Sequence, residues 1–522
     1  MIPAATASSR PTASVGDYLE TGDYLEPATA PPATLAGSPA GLAELSTLLT
    51  HIVSGALAGH RGAGPLPQGT PAEVLAAARA ALGPTELPEH GTGAAVALRW
   101  LVTVLGRYGL DLSHCHAAAH LQPPPLTVAV AADALASVGN ASLDTYDSGP
   151  ATLAVEGWVV EVLAQMAGLG SDAHGVLTPG GSMSNLLALL LARDGAATRC
   201  GVNIRRDGVA ALPRPVVLAS EVAHFSVQRA CATLGLGEAA VRAVEVDHRY
   251  RMRPDALVAQ LDALGPDVTP VAVVATAGTT DFGSVDPLPE IAEVAAQYRV
   301  WVHVDAAYGF GALFSDRMAP LLSGLEAADS VTLDLHKIGW QPAAASALLV
   351  RDTACFASLE RQVAYLNPVD DSVAGYDGLL GRSLQTTRRA DAVKIAATLL
   401  AYGRTGLGRM VDICHDLARH AQRRIDAEPA LELVSAAELT TVVFRYRGVQ
   451  PGGDSSLNAA LRRRLLRSGQ VLIGRTSVRL DGPAALPSVC LKLTLLNPTA
   501  RPEDIDSLLE AVIAAGRDEE LS

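Results

Sequence analysis

The run Ser330–Lys337, SVTLDLHK, ends a short β-branched stretch in a histidine and a lysine. Ile338-Gly339-Trp340-Gln341-Pro342 follows, a turn that neither helix nor strand would choose. An amine at such a strand end can condense with a carbonyl cofactor, and pyridoxal phosphate is the commonest partner of that kind. Taken alone, one His-Lys pair reads better as a solvated loop. Residues upstream shift the balance. Asp305 closes the apolar run VWVHVD, and a carboxylate that finishes a buried strand is costly unless paired. A protonated pyridine nitrogen would pair it; a helix cap or a structural salt bridge is the plainer reading. Pro179-Gly180-Gly181-Ser182 opens the apolar helix MSNLLALLLAR. Free N–H groups and the positive end of the helix dipole suit a phosphate there, although Gly-Gly-Ser also makes ordinary strand-to-helix turns. His224 follows the strand PVVLAS, and Thr279 and Thr280 offer hydroxyls in the loop after PVAVVAT.

These residues need a frame to bring them together. From Gly175 to Lys337 short apolar strands alternate with helices, which describes a mostly parallel sheet covered by helices. In open sheets of this kind ligands sit beyond the carboxyl ends of the strands. Gly181, Ser182, His224, Thr280, Asp305 and Lys337 all fall at strand ends or just after them, so one shared edge is expected. Around this core the chain divides into a disordered tail at residues 1–39, with GDYLE duplicated in it, and a helical region at 40–130. A large α/β domain at 131–398 and a small α+β domain at 399–522 follow. The Arg462–Arg464 run in the last domain reads as a solvated helix face.

Composition narrows the partners. The chain has 522 residues, 49% hydrophobic and 18% charged, and a net charge of −14 without a basic stripe, which argues against nucleic acid. Six cysteines lack C-x-x-C spacing and suit a reducing cytoplasm. No charged leader precedes an apolar stretch and no segment is expected to span a membrane. His114, His116 and His120 lie in near-helical register before a triple proline. No further ligand completes a metal set, so a rigid pocket wall is expected, with His120 a candidate substrate contact.

The segments GVLTPGGSMSNLLALLLAR, SEVAHFSVQRA, ATAGTTDFGSVDPL, WVHVDAAYG and ADSVTLDLHK, in this order, resemble the group II pyridoxal-phosphate-dependent amino-acid decarboxylases. The likeness runs from roughly Ser113 to Pro498. It implies a fold-type-I, aspartate-aminotransferase-like α/β enzyme with the cofactor carried on Lys337 and Asp305 facing its ring nitrogen. It also implies that His224 stacks on the ring near the substrate carboxylate, with Ala307 packed on the other face. Gly181 and Ser182 would cradle the phosphate, and Thr280, His336 and Asp334 would complete the cofactor surroundings. At Asp334 this chain departs from the aromatic branch, which has asparagine. The stretch from Val363 to Lys394 resembles the mobile catalytic loop and the segment after it. Tyr365 matches the residue that returns a proton to carbon once carbon dioxide has left. The family further implies a homodimer in which this loop crosses to the partner's site.

The expected activity is therefore α-decarboxylation of an L-amino acid. HKIGWQPAAASALLVRD, YLNPVDD and SLQTTRR look closer to the bacterial diamino-acid branch (2,4-diaminobutyrate, lysine) than to the aromatic one. Asp370, Asp371 and Asp377 are candidates for a distal ammonium, with solvated loop acids the plainer reading. An aromatic L-amino acid as substrate, or oxidative deamination on the same scaffold, is the alternative. A silent homologue serving as a binding protein would be expected to lose Lys337 or Asp305, and both are present.

Overall fold

The computed structural model describes residues 34–59, 64–448, 454–480 and 486–521. The expected disordered tail lies, up to residue 33, outside them. Two compact units emerge, one of residues 34–114 with 464–471 and one of 115–463 with 472–521.

The larger unit is built on a seven-stranded sheet in the order β2-β8-β7-β6-β5-β3-β4. Its strands are β2 (His174–Thr178), β3 (Pro215–Ser220), β4 (Val241–Val244), β5 (Thr269–Thr276), β6 (Trp301–Ala306), β7 (Ser330–Asp334) and β8 (Ser346–Val350). Strands β4, β3, β5, β6 and β7 run parallel, and β8 alone runs against its neighbours β7 and β2. β5, β6 and β7 read as nearly continuous apolar runs because both faces of the sheet are covered. One face packs on the helix Gly181–Arg199, where Leu189 and Ala192 meet Val217, Val271 and Val274. The other packs on Pro150–Met166 and Leu288–Tyr298 through Val159, Leu163 and Ile291. Leu189 is wholly buried; its truncation to alanine would cost about 2–5 kcal/mol.

A second sheet of five strands has the order β1-β11-β12-β10-β9, comprising β1 (Ala117–Ala118), β9 (Leu431–Ser435), β10 (Thr441–Tyr446), β11 (Leu472–Val478) and β12 (Ser488–Thr494). Strand β1 joins it in parallel with β11, so the residues just before the triple proline belong to this sheet. The helix Ala392–Ala427 crosses the boundary expected at 398/399. Its break comes instead at Gly403, whose φ of 58° interrupts the helical path. Arg462 is not part of a solvated face: it is half-buried and its Nε donates to the carbonyl of Ile473 at 2.9 Å.

In the smaller unit α1 (Pro39–Gly59) packs on α3 (Ala94–Tyr108), and α2 (Pro71–Leu82) is closed by a Thr70/Glu73 capping box. The expectation that no segment approaches a membrane span needs correction. Pro39–Leu57 is nineteen residues long and, by length and composition, apolar enough to cross one. Its serines, threonines and glycines disguise the run, which holds a single carboxylate, Glu44.

Candidate active site

The parallel strands deliver their chemistry to a single cavity of about 270 Å³ at their carboxyl ends. Gly181, Ser182, His224, Thr280, Asp305, Ala307, Asp334, His336 and Lys337 all line it. Each arrives by the same route. Asp305 is the penultimate residue of β6 and Asp334 the last of β7, with Lys337 one short turn further on.

In the cavity wall Lys337 Nζ lies 2.9 Å from Asp334 Oδ2. The Asp334 carboxylate is almost fully buried, takes the Ser346 hydroxyl at 2.6 Å on its other oxygen, and has His336 Nε2 at 3.6 Å. Burial holds the His336 imidazole below its ordinary pKa, against the pull of Asp334. The backbone of the helix Gly181–Arg199 begins beside this group. A Cβ at position 181 would sit 3.0 Å from both Asp334 oxygens and 3.1 Å from the Ala307 methyl, so only glycine lets the helix start so close. Gly278, also on the cavity wall, is forced as well: its φ is 101°, and a Cβ there would meet Gly309 N and Leu439 Cδ1 at 2.9 Å.

Asp305 lines the same cavity. Its Oδ2 accepts from Asn185 Nδ2 at 2.8 Å and its Oδ1 from the backbone N–H of Ala307 at 3.1 Å. His224 lies over the cavity with Nδ1 tied to Ser226 Oγ at 2.8 Å. Burial is the main force lowering its pKa; Asp305 opposes this and Lys337 adds to it.

The donor set fits pyridoxal phosphate. An amine stands at Lys337, a helix N-terminus with Gly181 and Ser182 suits a phosphate, and a buried carboxylate suits a ring nitrogen. Thr276 Oγ1 adds a buried hydroxyl on the cavity wall with no hydrogen-bond partner among the described residues. Thr276, Asn185 and Tyr308 are lining residues that sequence reasoning passed over. Signals existed for two of them: Thr276 ends the predicted strand PVAVVAT, and Asn185 lies one helical turn beyond Gly181, on the same face.

Two expected site residues are elsewhere. His120 is exposed, just after β1, and is not among the residues lining the Lys337 cavity. The pairing of Ala117–Ala118 with β11 anchors this segment to the five-stranded sheet instead. Tyr365, 83% exposed, lines a different cavity of about 540 Å³ with Tyr146, Asp147, Asp371 and Tyr376. Within one chain its loop is fastened to residues 143–146, far earlier in the sequence, through Leu379 N to Leu143 O at 2.9 Å and an edge-on packing of Tyr376 against Tyr146. Asp371 shares that second cavity; none of Asp370, Asp371 and Asp377 lines the first.

Comparison with known proteins agrees with this geometry. The chain is 43% identical to an L-2,4-diaminobutyrate decarboxylase of Rhizobium meliloti over 436 residues, 83% of this chain and 84% of that protein. It is 35% identical to the L-2,4-diaminobutyrate decarboxylase of Acinetobacter baumannii over 440 residues, 82% and 84% of the two chains. Among solved structures, the glutamate decarboxylase domain of a Vibrio parahaemolyticus diaminobutyrate-pyruvate transaminase and L-2,4-diaminobutyrate decarboxylase superposes with a TM-score of 0.81. Its identity is 30%, and the match covers 92% of this chain and 97% of that one. The model of the pyridoxal-dependent decarboxylase conserved domain matches residues 110–447, more than half the chain. The chain therefore belongs to the pyridoxal-dependent decarboxylase family and is an amino-acid decarboxylase that works with pyridoxal 5'-phosphate.

Proposed function

We propose that this decarboxylase acts on an L-diamino acid, with L-2,4-diaminobutyrate the first candidate, and releases the α-carboxylate as carbon dioxide. The observation that carries the reading is the 43% identity over 83% of the chain to an enzyme of that name, with a second at 35%. Asp334, where the aromatic branch has asparagine, also sets the chain apart from that branch.

When bound, pyridoxal phosphate supplies an electron-withdrawing ring that accepts the electron pair left behind as carbon dioxide departs. Lys337 is the amine that would hold it, with Asp334 as counter-ion at 2.9 Å. Gly181 and Ser182, at the helix N-terminus, would bind its anionic end, assisted by the hydroxyls of Thr276 and Thr280. Asp305 would keep a proton on the cofactor's ring nitrogen. His224 and Ala307, which both line the cavity, would pack against the cofactor and exclude water, and His336 backs the Lys337–Asp334 pair. Tyr365 returns a proton to the α-carbon.

In this reading the enzyme is a cytoplasmic homodimer, with the loop of one subunit completing the site of the other. Two features favour the dimer. Tyr365 lines a cavity other than that of its own Lys337, and α1 and α3 carry exposed Leu42, Leu49, Val53, Leu101 and Leu105.

The test offers the holoenzyme a panel of 2,4-diaminobutyrate, lysine and aromatic L-amino acids, and identifies the products. The expected result is 1,3-diaminopropane and carbon dioxide in equal amounts from 2,4-diaminobutyrate. Turnover confined to aromatic substrates, or aldehyde and peroxide as the main products, would overturn the assignment.

A further inference from the structure

Behind the cavity wall lies a run of buried polar side chains whose hydrogen bonds take their direction from its two ends. At one end the indole N–H of Trp301, a donor only, gives to Ser330 Oγ at 2.8 Å. At the other, Asp305 accepts on both oxygens, so the group of Asn185 that faces it at 2.8 Å is the NH2 and not the carbonyl. That orientation turns Asn185 Oδ1 to His303 Nε2 at 2.9 Å, which must then carry a hydrogen. The remaining nitrogen of His303, Nδ1, accepts from Ser330 Oγ at 2.9 Å. His303 is wholly buried, and burial holds its pKa down to about 4, in keeping with a neutral ring. The second hydrogen of the Asn185 NH2 goes to Ser226 Oγ at 2.9 Å, and the Ser226 hydroxyl in turn reaches His224 Nδ1 at 2.8 Å. The backbone N–H of Ser226 points at the same Nδ1 from 3.3 Å. His224 Nδ1 therefore accepts, and the proton of the neutral ring sits on Nε2.

We propose that Asn185 is a positioning residue of this centre: one buried amide ties down Asp305 and, through Ser226, fixes the proton of His224 on Nε2, the nitrogen left to serve the cavity. His224 then offers a substrate carboxylate a hydrogen-bond donor rather than a base. Asn185 is 1% exposed, as is Ser226, so neither has water as a substitute partner. A loss of the amide reaches both the ring-nitrogen partner and the ring-stacking histidine at once. The inference deepens the roles assigned above to Asp305 and His224, and its test is chosen to stand apart from them.

The experiment uses the full-length apoenzyme labelled with 15N-histidine, its ring resonances assigned with His224→Asn and His303→Asn. In the wild type both rings should appear as neutral tautomers protonated on Nε2. Ser226→Ala, which removes the 2.8 Å hydroxyl contact and leaves only the longer backbone N–H on Nδ1, should shift His224 measurably towards the Nδ1-protonated tautomer and leave His303 unchanged. Asn185→Leu should disturb both. In the holoenzyme Asn185→Leu should lower kcat by about 10–100-fold with KM changed only a fewfold, the usual cost of losing a group that orients a functional ligand. A wild-type His224 protonated on Nδ1, or tautomers unmoved in both variants, would sink the proposal. Should Asn185→Leu fail to fold, the one-sided pattern of Ser226→Ala decides. These spectra are read without cofactor or substrate, so a failure of the proposed catalytic roles would show in turnover and leave the tautomers as described.

Discussion

Asp305 illustrates how little freedom a single residue has in this centre. Both its oxygens are taken by protein donors, Asn185 Nδ2 and the Ala307 N–H, and its side chain is all but excluded from solvent. An asparagine in its place keeps the shape but must turn its own NH2 towards one of those two donors, leaving a buried clash of hydrogens. That costs about 1–3 kcal/mol of stability. It also removes the charge proposed to hold a proton on the ring nitrogen. We expect Asp305→Asn to retain cofactor, lose a few degrees in Tm, and lose about 10²–10³ in kcat, the scale of one preorganised electrostatic contact. Turnover within a fewfold of wild type would exclude the role. Lys337→Ala should instead abolish both turnover and the visible absorbance of the bound cofactor. Borohydride reduction of the wild type and peptide mapping should place the pyridoxyl group on Lys337 and no other lysine.

Among the elements, the loop that carries Tyr365 is weakly buried, with Tyr365, Val369, Val373 and Tyr376 all more than half exposed. Limited proteolysis should cut there first, and a non-reactive substrate analogue should protect it. Tyr365→Phe should still release carbon dioxide, because bond cleavage draws on the ring and not on the phenol. The carbon then waits for its proton and becomes open to oxygen, so amine should fall and aldehyde with peroxide should rise. Amine at the wild-type rate with no aldehyde would assign the proton to another group, His224 first. The contrast between this loop and the strands explains what the sequence could disclose. β3, β5, β6 and β7 announce themselves as apolar runs, and strand ends locate ligands, so Asp305, Lys337, His224 and the Gly181–Ser182 turn were legible before any coordinates. Asn185 and Thr276 carry only a positional signal, a helical turn beyond Gly181 and the last place of β5, and the partner that gives each its role lies across the fold, where sequence order does not reach. β8 was hidden within the run after Lys337, and the placing of β1 rests on a pairing with β11 some 350 residues later in the chain.

At the scale of the whole molecule, one chain shows Lys337 and Tyr365 in two different cavities. Either the loop swings across its own subunit or it serves a neighbour, and a mixing experiment separates the two. In the proposed homodimer, Lys337→Ala and Tyr365→Phe are each expected to be deficient in amine formation when both subunits carry the same substitution. If the loop crosses, a hybrid of the two pairs a wild-type Lys337 with a wild-type Tyr365 at one of its sites. Random reassortment of a two-fold dimer makes half the dimers hybrids with one good site of two, so about a quarter of wild-type activity should return. If the loop serves its own subunit, every site in the hybrid carries one lesion and nothing is regained. The same samples test the apolar faces of α1 and α3. Leu49→Glu combined with Val53→Glu should dissociate the enzyme in sedimentation equilibrium if those exposed side chains form the subunit contact. Such a variant that stays dimeric would move the interface elsewhere and return α1, long and apolar as it is, to the question of what covers it.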